Sequence, residues 1–488
     1  MTVLPDLLNA PLILDKARPV HFVGIGGIGM SGLARILLES GFKVSGSDIT
    51  RNASTEKLAS MGAKIFNGHS AENLPDNAYV VVSTSITNNN PEVEAARTRK
   101  FPIAHRSSLL REILHGESLG HTHTVGITGT HGKTTITGMT GVALTAANLS
   151  PSIIAGGILP EMDTNAVLSA NRQYAVAELD ESDGSIIQYT PEVTVISNLE
   201  LDHADHYTEG LGGVIGTFEK FLSTLKPGSK VIYNVSCPQT KALSETPPEG
   251  VEAILVSPGD TFNGNEAQVT YWLKNARHHG HGAYQGYVYK NRGLLGELHL
   301  NLPGKHNLFN ALCAIAAGDQ LGADFDAMTA ALRTFTGMKR RFEKTGEFNN
   351  ATLIDDYAHH PTEVRATLAT ARDITKATNG RVVAIFQPHR YSRLKALWDD
   401  FAACLDEADV VYITDVYSAS EEPIEGATAD VFAKSVSHPN CQYFTTLDEH
   451  GNYSFDVLRA ELKKISQRGD LIISLGAGNL TQLLRNWD

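Results

Sequence analysis

Thr124-Val125-Gly126-Ile127-Thr128-Gly129-Thr130-His131-Gly132-Lys133-Thr134-Thr135 is the stretch on which the fold is decided. A short apolar strand, Thr124–Ile127, runs into a glycine turn, and the spacing predicts a helix over Lys133–Ala147. Glycines let backbone N–H groups turn inward around phosphate oxygens, and the first turn of the helix adds its positive dipole end. Lys133 supplies a point charge, and the Thr134 hydroxyl suits a magnesium ion. The strict phosphate-loop pattern asks for glycine where Ile127 stands, so this is a variant of it.

Outward from this point the chain keeps one rhythm. Val- and Ile-rich runs alternate with helical patterns, which indicates parallel α/β units. Before the loop, strands are expected at Val20–Val23, Lys43–Gly46 and Tyr79–Ser83, with helices from Met30 and over Pro91–Thr98. After it come strands at Tyr174–Ala177, Val193–Ser197 and Val231–Tyr233, then alternating residues at Gln268–Leu302 that read as inserted antiparallel hairpins. Helices follow from Asn307 and Asp326, and a third block holds strands Leu353–Asp356, Val382–Phe386, Val410–Thr414 and Leu471–Leu475. The expectation is three α/β domains: 1–112 Rossmann-like, 113–337 a phosphate-loop domain with a mostly parallel sheet, and 338–488 again Rossmann-like.

Chemistry-bearing residues cluster where strands end, the crevice side of an open parallel sheet. Gly24-Ile25-Gly26-Gly27-Ile28-Gly29 follows the first strand with Asp48 after the next, which by default reads as a dinucleotide site with Asp48 on a ribose. The same turn serves any diphosphate, a nucleotide-sugar included. Glu178 ends one strand and Asn198–His203 follows another; Glu178 suits Mg²⁺, and His203 is a less usual partner. Asp180, Glu181 and Asp183 read as solvated loop carboxylates. In the third block Asp355–Glu363 and Phe386–Arg393 bring His359, His360, His389 and Arg390 to strand ends, where they can hold carboxylates or phosphates. His278-His279-Gly280-His281 reads as an exposed loop, and Cys313 and Cys404 as core.

Composition narrows the class. The 488 residues are 42% hydrophobic and 19% charged, ordinary for a globular protein, with a net charge of −13. That balance argues against a sequence-blind DNA binder or a protein held on anionic lipid. Four dispersed cysteines, Cys237, Cys313, Cys404 and Cys441, form no pair at metal or redox spacing and fit a reducing cytoplasm. Met1–Pro19 carries Asp6 and Asp15 and does not read as a secretory signal.

In order, His21–Gly32, Gly46-Ser47-Asp48, Gly129–Thr135, Glu178–Asp183, Asn198–His203, Gly304–Asn310, Arg340-Arg341-Phe342, Asp355–Glu363 and Phe386–Arg393 resemble the motifs of the Mur ligase family, ATP-dependent amide-bond-forming enzymes of peptidoglycan precursor synthesis. The resemblance implies UDP-sugar binding in the first domain by Gly26, Gly27, Ile28, Gly29, Asp48 and Ser83, demoting the dinucleotide reading. It implies ATP on Gly129, Thr130, His131, Gly132, Lys133, Thr134 and Thr135, with Asn307 and Asn310 at the adenine end and Arg341 on nucleotide and phosphates. Lys133, Glu178, His203 and Asp356 are its catalytic set, Thr134, Glu178 and His203 its magnesium ligands, and His359, His360, His389 and Arg390 its amino-acid side. Glu363, and the lack of a placeable lysine of the kind other members carbamylate, favour the branch joining L-alanine to UDP-N-acetylmuramate. The alternatives are a murein-tripeptide recycling ligase, a nicotinamide-dependent oxidoreductase and a non-catalytic nucleotide-binding scaffold. Expected surroundings are the cytoplasm, small-molecule partners only, no membrane insertion, and a monomer or weak homodimer.

Overall fold

The computed structural model describes residues 12–203, 206–259, 268–280, 282–419, 421–448, 451–485 and 487. Three sheets account for its three α/β domains. The first takes β1 (Val20–Val23), β2 (Val44–Asp48), β3 (Lys64–Asn67), β4 (Tyr79–Val82) and β5 (Ile103–His105) in the order 3-2-1-4-5, all parallel. Strand order reverses at the β1/β4 boundary, so the glycine turn after β1 and Ser83 after β4 face the crevice where such sheets bind ligands.

The central sheet has ten strands: β6 (His123–Thr128), β7 (Ser152–Leu159), β8 (Thr164–Val167), β9 (Tyr174–Glu178), β10 (Val193–Ile196), β11 (Lys230–Asn234), β12 (Glu252–Ser257), β13 (Tyr271–His278), β14 (Tyr284–Lys290) and β15 (Gly293–Leu300). Their order is 15-14-13-12-11-10-6-9-7-8, with β6 flanked by β9 and β10. The meander β13–β15 is antiparallel as expected. It also extends the sheet, since β13 pairs in parallel with β12 through Val256 and Tyr271. The last sheet comprises β16 (Glu343–Phe348), β17 (Ala351–Asp356), β18 (Val382–Phe386), β19 (Val410–Thr414), β20 (Cys441–Phe444) and β21 (Leu471–Leu475) in the order 16-17-21-18-19-20. Only β16 there runs antiparallel.

Helix Lys133–Ala146 shows why the phosphate loop is rigid. Ile136, Met139, Ala143 and Leu144 are buried against Ile153 and the helix Lys305–Gln320. Gly138 and Gly141 allow the close approach: a Cβ there would lie 2.6 Å from the Met338 sulfur and 2.6 Å from Ile153. One apolar core runs from Phe22, Ile36 and Leu109 of the first domain into Ala177, Phe218 and Tyr233 of the second. The third domain has cores of its own, around Phe386, Phe401 and Phe432 and around Leu353 and Ile472. Gly337 (φ +100°), Arg340 (φ +61°) and Phe342 (φ +51°) turn the chain sharply between these two bodies.

Gly126 in β6 backs onto Leu179 and Pro191, where an added Cβ would come within 2.5 and 2.9 Å of their side chains. Gly346 in β16 has its nearest neighbour at 3.8 Å. Gly126→Ala should therefore lose about 1–3 kcal/mol of stability by overpacking, while Gly346→Ala stays near neutral or gains slightly. Urea unfolding of the two variants against the parent checks this; equal midpoints would contradict it.

Candidate active site

The loops after β6, β9 and β10 meet at one place. Gly129 (φ +118°) and Gly132 (φ +85°) hold the phosphate loop in backbone conformations that favour glycine. At Gly129 a Cβ would also sit 2.4 Å from the Ser197 hydroxyl. The loop is pinned from β10: Thr130 N–H donates to the Asn198 carbonyl (2.9 Å) and His131 N–H to Asn198 Oδ1 (2.9 Å). Lys133 Nζ folds back to donate to the carbonyls of Gly129 (2.5 Å) and Thr130 (2.9 Å) and pairs with Glu181 (3.0 Å). The Thr134 hydroxyl donates to Glu178 Oε1 (3.1 Å), whose other oxygen accepts from Gly156 N–H (2.6 Å).

The acidic loop corrects the sequence reading. Glu181 and Asp183 are buried, not solvated, at 3% and 6% exposure. Asp180 accepts from Arg106 Nη2 at 2.5 Å, and Asp183 lies 3.7 Å from His105 Nε2. The loop leaves the sheet between the first domain and the phosphate loop, so packing from residues far away in sequence encloses it. Burial, partly offset by Lys133, pushes the Glu181 carboxyl up to about 7. Asp180 moves the other way: burial is outweighed by Arg106 and Lys133.

Two cavities flank the phosphate loop. The larger, about 680 Å³, starts at Gly27, Ile28, Gly29 and Ser83, passes Lys133, Thr134 and Glu178, and reaches His203, Arg341 and His359. The other, about 410 Å³, lies on the Gly132 and Thr135 side and is lined by Asn307, Asn310, Arg341 and Asp356. Asn310 Nδ2 donates to Asn307 Oδ1 (2.9 Å), and a Cβ on Gly132 would lie 3.0 Å from Asn310 Oδ1. Asp356 accepts from the N–H groups of Phe342 and Ala358, both at 2.7 Å, and burial lifts its pKa to about 6 against the pull of Arg341.

The third domain closes on the second through polar contacts. His131 stands between Glu200 Oε2 of the central domain (3.3 Å) and Glu363 Oε1 of the third (3.3 Å). Burial opposes its charge, but hydrogen bonding to the two carboxylates wins and raises its pKa to about 9. Thr362 donates to Glu200 (2.6 Å), and Arg393 reaches Asp202 through Nε (3.1 Å) and Nη2 (2.8 Å). Glu363 also accepts from the backbone of His359 and His360, capping the helix Pro361–Thr378, and sits 3.5 Å from Arg341.

Several expected residues stand elsewhere. Gly26 N–H donates to Asp48 Oδ2 (2.8 Å), so Asp48 braces the glycine turn, and neither residue lines either of these two cavities. His360 is buried, caps its helix and packs 4.7 Å from the His131 ring. His389 stacks on Tyr417 (5.5 Å) and accepts from Arg393 (3.1 Å). Arg390 lies 3.7 Å from Glu421. His203, by contrast, lines the large cavity with Lys133 and Glu178, at φ +52° beside Asp202. The sequence assigns no site role to Arg106, Glu181, Glu200, Asp202, Glu363 or Arg393, although all but Arg106 lie within or beside quoted motifs, and it reads Glu181 as solvated and Glu363 only as a mark of the branch. His278 and His279 are exposed, His281 lies outside the described residues, and Cys313 and Cys404 are buried.

Comparison with known proteins follows the same three parts. The Mur ligase family catalytic domain matches residues 19–118, the Mur ligase middle domain 127–318, and the Mur ligase glutamate ligase domain 340–478. The UDP-N-acetylmuramate–L-alanine ligase of Rickettsia felis is 38% identical over 483 residues, covering 96% of this chain and 95% of its own. That of Rickettsia canadensis is 38% identical over 489 residues, covering 97% of each chain. Among solved structures, the UDP-N-acetylmuramate–alanine ligase of Thermotoga maritima superposes with a TM-score of 0.77 at 30% identity, over 96% of this chain and 98% of that one. A murein peptide ligase from Psychrobacter arcticus shares the fold at a TM-score of 0.69 and 23% identity, over 96% and 99%. With its three domains each matched in order and its relatives aligned nearly end to end, the chain belongs to the Mur ligase family.

Proposed function

We propose that this chain is an ATP-dependent ligase that joins L-alanine to the muramate carboxylate of UDP-N-acetylmuramate, releasing ADP and phosphate. The observation that carries the reading is the single chamber running from Gly27–Gly29 past Lys133 to His359, with a second cavity across the phosphate loop. In this reading residues 1–112 hold the UDP-sugar, 113–337 hold ATP, and 338–488 take the amino acid and close the site. The names of the 38%-identical relatives favour alanine over a tripeptide. A nicotinamide oxidoreductase would leave Lys133 of the phosphate loop and the second cavity without a use. No described helix is long and apolar enough to cross a membrane. A monomer or weak homodimer at work in the cytoplasm suits soluble nucleotide substrates.

The chemistry explains the inventory. A carboxylate is a poor electrophile, so it is activated by taking the γ-phosphoryl group: a carboxyl O–P bond forms as the bond from γ-phosphorus to the ADP oxygen breaks. The free amine of L-alanine then attacks the acyl carbon, the C–O bond to phosphate breaks, and the amine's proton is lost. Such transfers depend on positioning and on offsetting charge. Lys133 meets the terminal phosphates, and the N–H groups at the start of helix Lys133–Ala146 face the same oxygens. Asn307 and Asn310 border the adenine end, Arg341 the phosphates, and His359, with His389 and Arg390 behind it, the amino-acid side. The carboxylate of Glu178, already tied to the Thr134 hydroxyl, is a hard oxygen pair that fits Mg²⁺, with His203 in the same chamber. Once bound there, that ion would offset phosphate charge.

Incubation with ATP, UDP-N-acetylmuramate and either L-alanine or the tripeptide should release phosphate with L-alanine; release with the tripeptide alone would overturn the reading.

Removing Lys133 tests its role in two ways. Lys133→Ala should abolish phosphate release while UDP-N-acetylmuramate still binds. It should also lose about 1–3 kcal/mol, because the buried Glu181 carboxyl, already pushed up to about 7, loses its cation and takes up a proton without a partner. Adding Glu181→Gln should restore most of the stability and none of the turnover. Thermal unfolding and phosphate assays on both variants decide it; turnover in either would contradict the assignment.

The His131 bridge predicts a pH dependence. A folded pKa of about 9, above an unfolded value near 6.5, makes its contribution complete below about pH 6.5 and lost as pH rises through 9. Glu200, held near 2 by His131 against burial, contributes above its unfolded value and loses that contribution as pH falls toward 2. His131→Asn should therefore flatten the fall in melting temperature between pH 6.5 and 9. An unchanged slope would refute the bridge.

A further inference from the structure

Arg106 occupies a position that the mechanism above leaves unused. It begins the helix Arg106–His115, directly after β5, and reaches out of the first domain into the large cavity. One side of its guanidinium lies at the glycine turn, since a Cβ on Gly29 would be 3.2 Å from Nη1. The other side donates from Nη2 to Asp180 at 2.5 Å, its one hydrogen bond among the described residues. A guanidinium carries five N–H donors in a planar fork that matches phosphate and carboxylate geometry. Arg106 therefore stands beside the first turn of helix Ile28–Glu39 with donors to spare, in the chamber that also holds Lys133.

The acidic loop treats both cations alike. Asp180 neutralises Arg106, and its neighbour Glu181 neutralises Lys133 at 3.0 Å. Asp183 faces His105 and Asp180 also feels Lys133, so the two pairs are electrically linked. Two cations that line one cavity are thus covered by successive carboxylates of one loop.

We propose that Arg106 is a binding residue for the anionic part of the sugar nucleotide, its diphosphate or its muramate carboxylate, and that Asp180 is the counter-ion it exchanges for that anion. The inference rests on the functional reading above and extends it to a residue and a mode of binding. It differs sharply from a structural brace between domains. A brace fails whichever partner is removed, so both variants would weaken binding. In an exchange, removing the counter-ion frees the cation, and the two variants act in opposite directions.

The test is calorimetric titration of the full-length protein with UDP-N-acetylmuramate and with UDP-N-acetylglucosamine, which has the diphosphate but not the carboxylate. Arg106→Ala should weaken UDP-N-acetylmuramate about tenfold to hundredfold, the range of a charge-assisted hydrogen bond. Asp180→Asn should leave it equal or up to about tenfold tighter by the same measure. Equal weakening of both nucleotides by Arg106→Ala places the arginine on the diphosphate, and weakening of the muramate compound alone places it on the carboxylate. Arg106→Lys, which keeps the charge and loses the fork, should fall between parent and alanine variant and serves if the alanine variant does not fold. Weakening by Asp180→Asn as large as that by Arg106→Ala, or unchanged binding in Arg106→Ala, would overturn the proposal. A parent protein that binds neither nucleotide would overturn the functional reading itself.

Discussion

A half-buried ammonium needs a counter-charge, and the site is organised around how Lys133 obtains one. The Lys133 side chain is 14% exposed, and its Nζ is held by two backbone carbonyls and by the buried Glu181. Removing one partner of such a pair is far more costly than the pair is favourable, so each fixes the other's place. The carbonyls are available only because Gly129 and Gly132 turn the backbone into left-handed conformations between β6 and its helix. The carboxylate is available only because the loop after β9 is pressed inward by the first domain. Strand order, glycine turn and domain packing all meet at that one contact.

The domains are not joined equally. An apolar core shared by the first and second fixes the glycine turn of one relative to the phosphate loop of the other. The third domain meets the second through hydrogen bonds and ion pairs: His131 with Glu363, Glu200 with Thr362, Asp202 with Arg393. Apolar contact falls off once water enters, whereas such polar pairs exchange protein partners for water at modest net cost. The first two domains thus share an apolar core, while the third is held to them by polar contacts. Both cavities are lined partly by the third domain, through Arg341 and Glu363.

How much of this was readable in the sequence follows from the range of the forces involved. The glycine turns were legible because positive φ restricts residue type at once, and the central strands because β1, β4, β6 and β10 are buried on both faces. Strands such as Lys64–Asn67 and Glu343–Phe348 escaped notice, since edge strands carry mixed exposure and little apolar signal. The burial of Glu181 escaped for a different reason: nothing local encloses it, and its surroundings come from Lys133, Tyr207 and the first domain. His360 is similar. Its place in the His-His-Pro-Thr-Glu run suggested a ligand contact, yet that run is a helix cap in which Glu363 closes the turn. Motif position located the site within a few residues, but which side of each motif faces the chamber depended on packing that no local pattern encodes.

The central claim is that one chamber brings a muramate carboxylate to the phosphate loop, so that the carboxylate itself accepts the γ-phosphoryl group. Turnover of UDP-N-acetylmuramate labelled with ¹⁸O in both carboxylate oxygens tests this most directly, with mass analysis of the released phosphate. The account predicts one labelled oxygen in every phosphate formed alongside the amide. Phosphate free of label while the amide accumulates would contradict it.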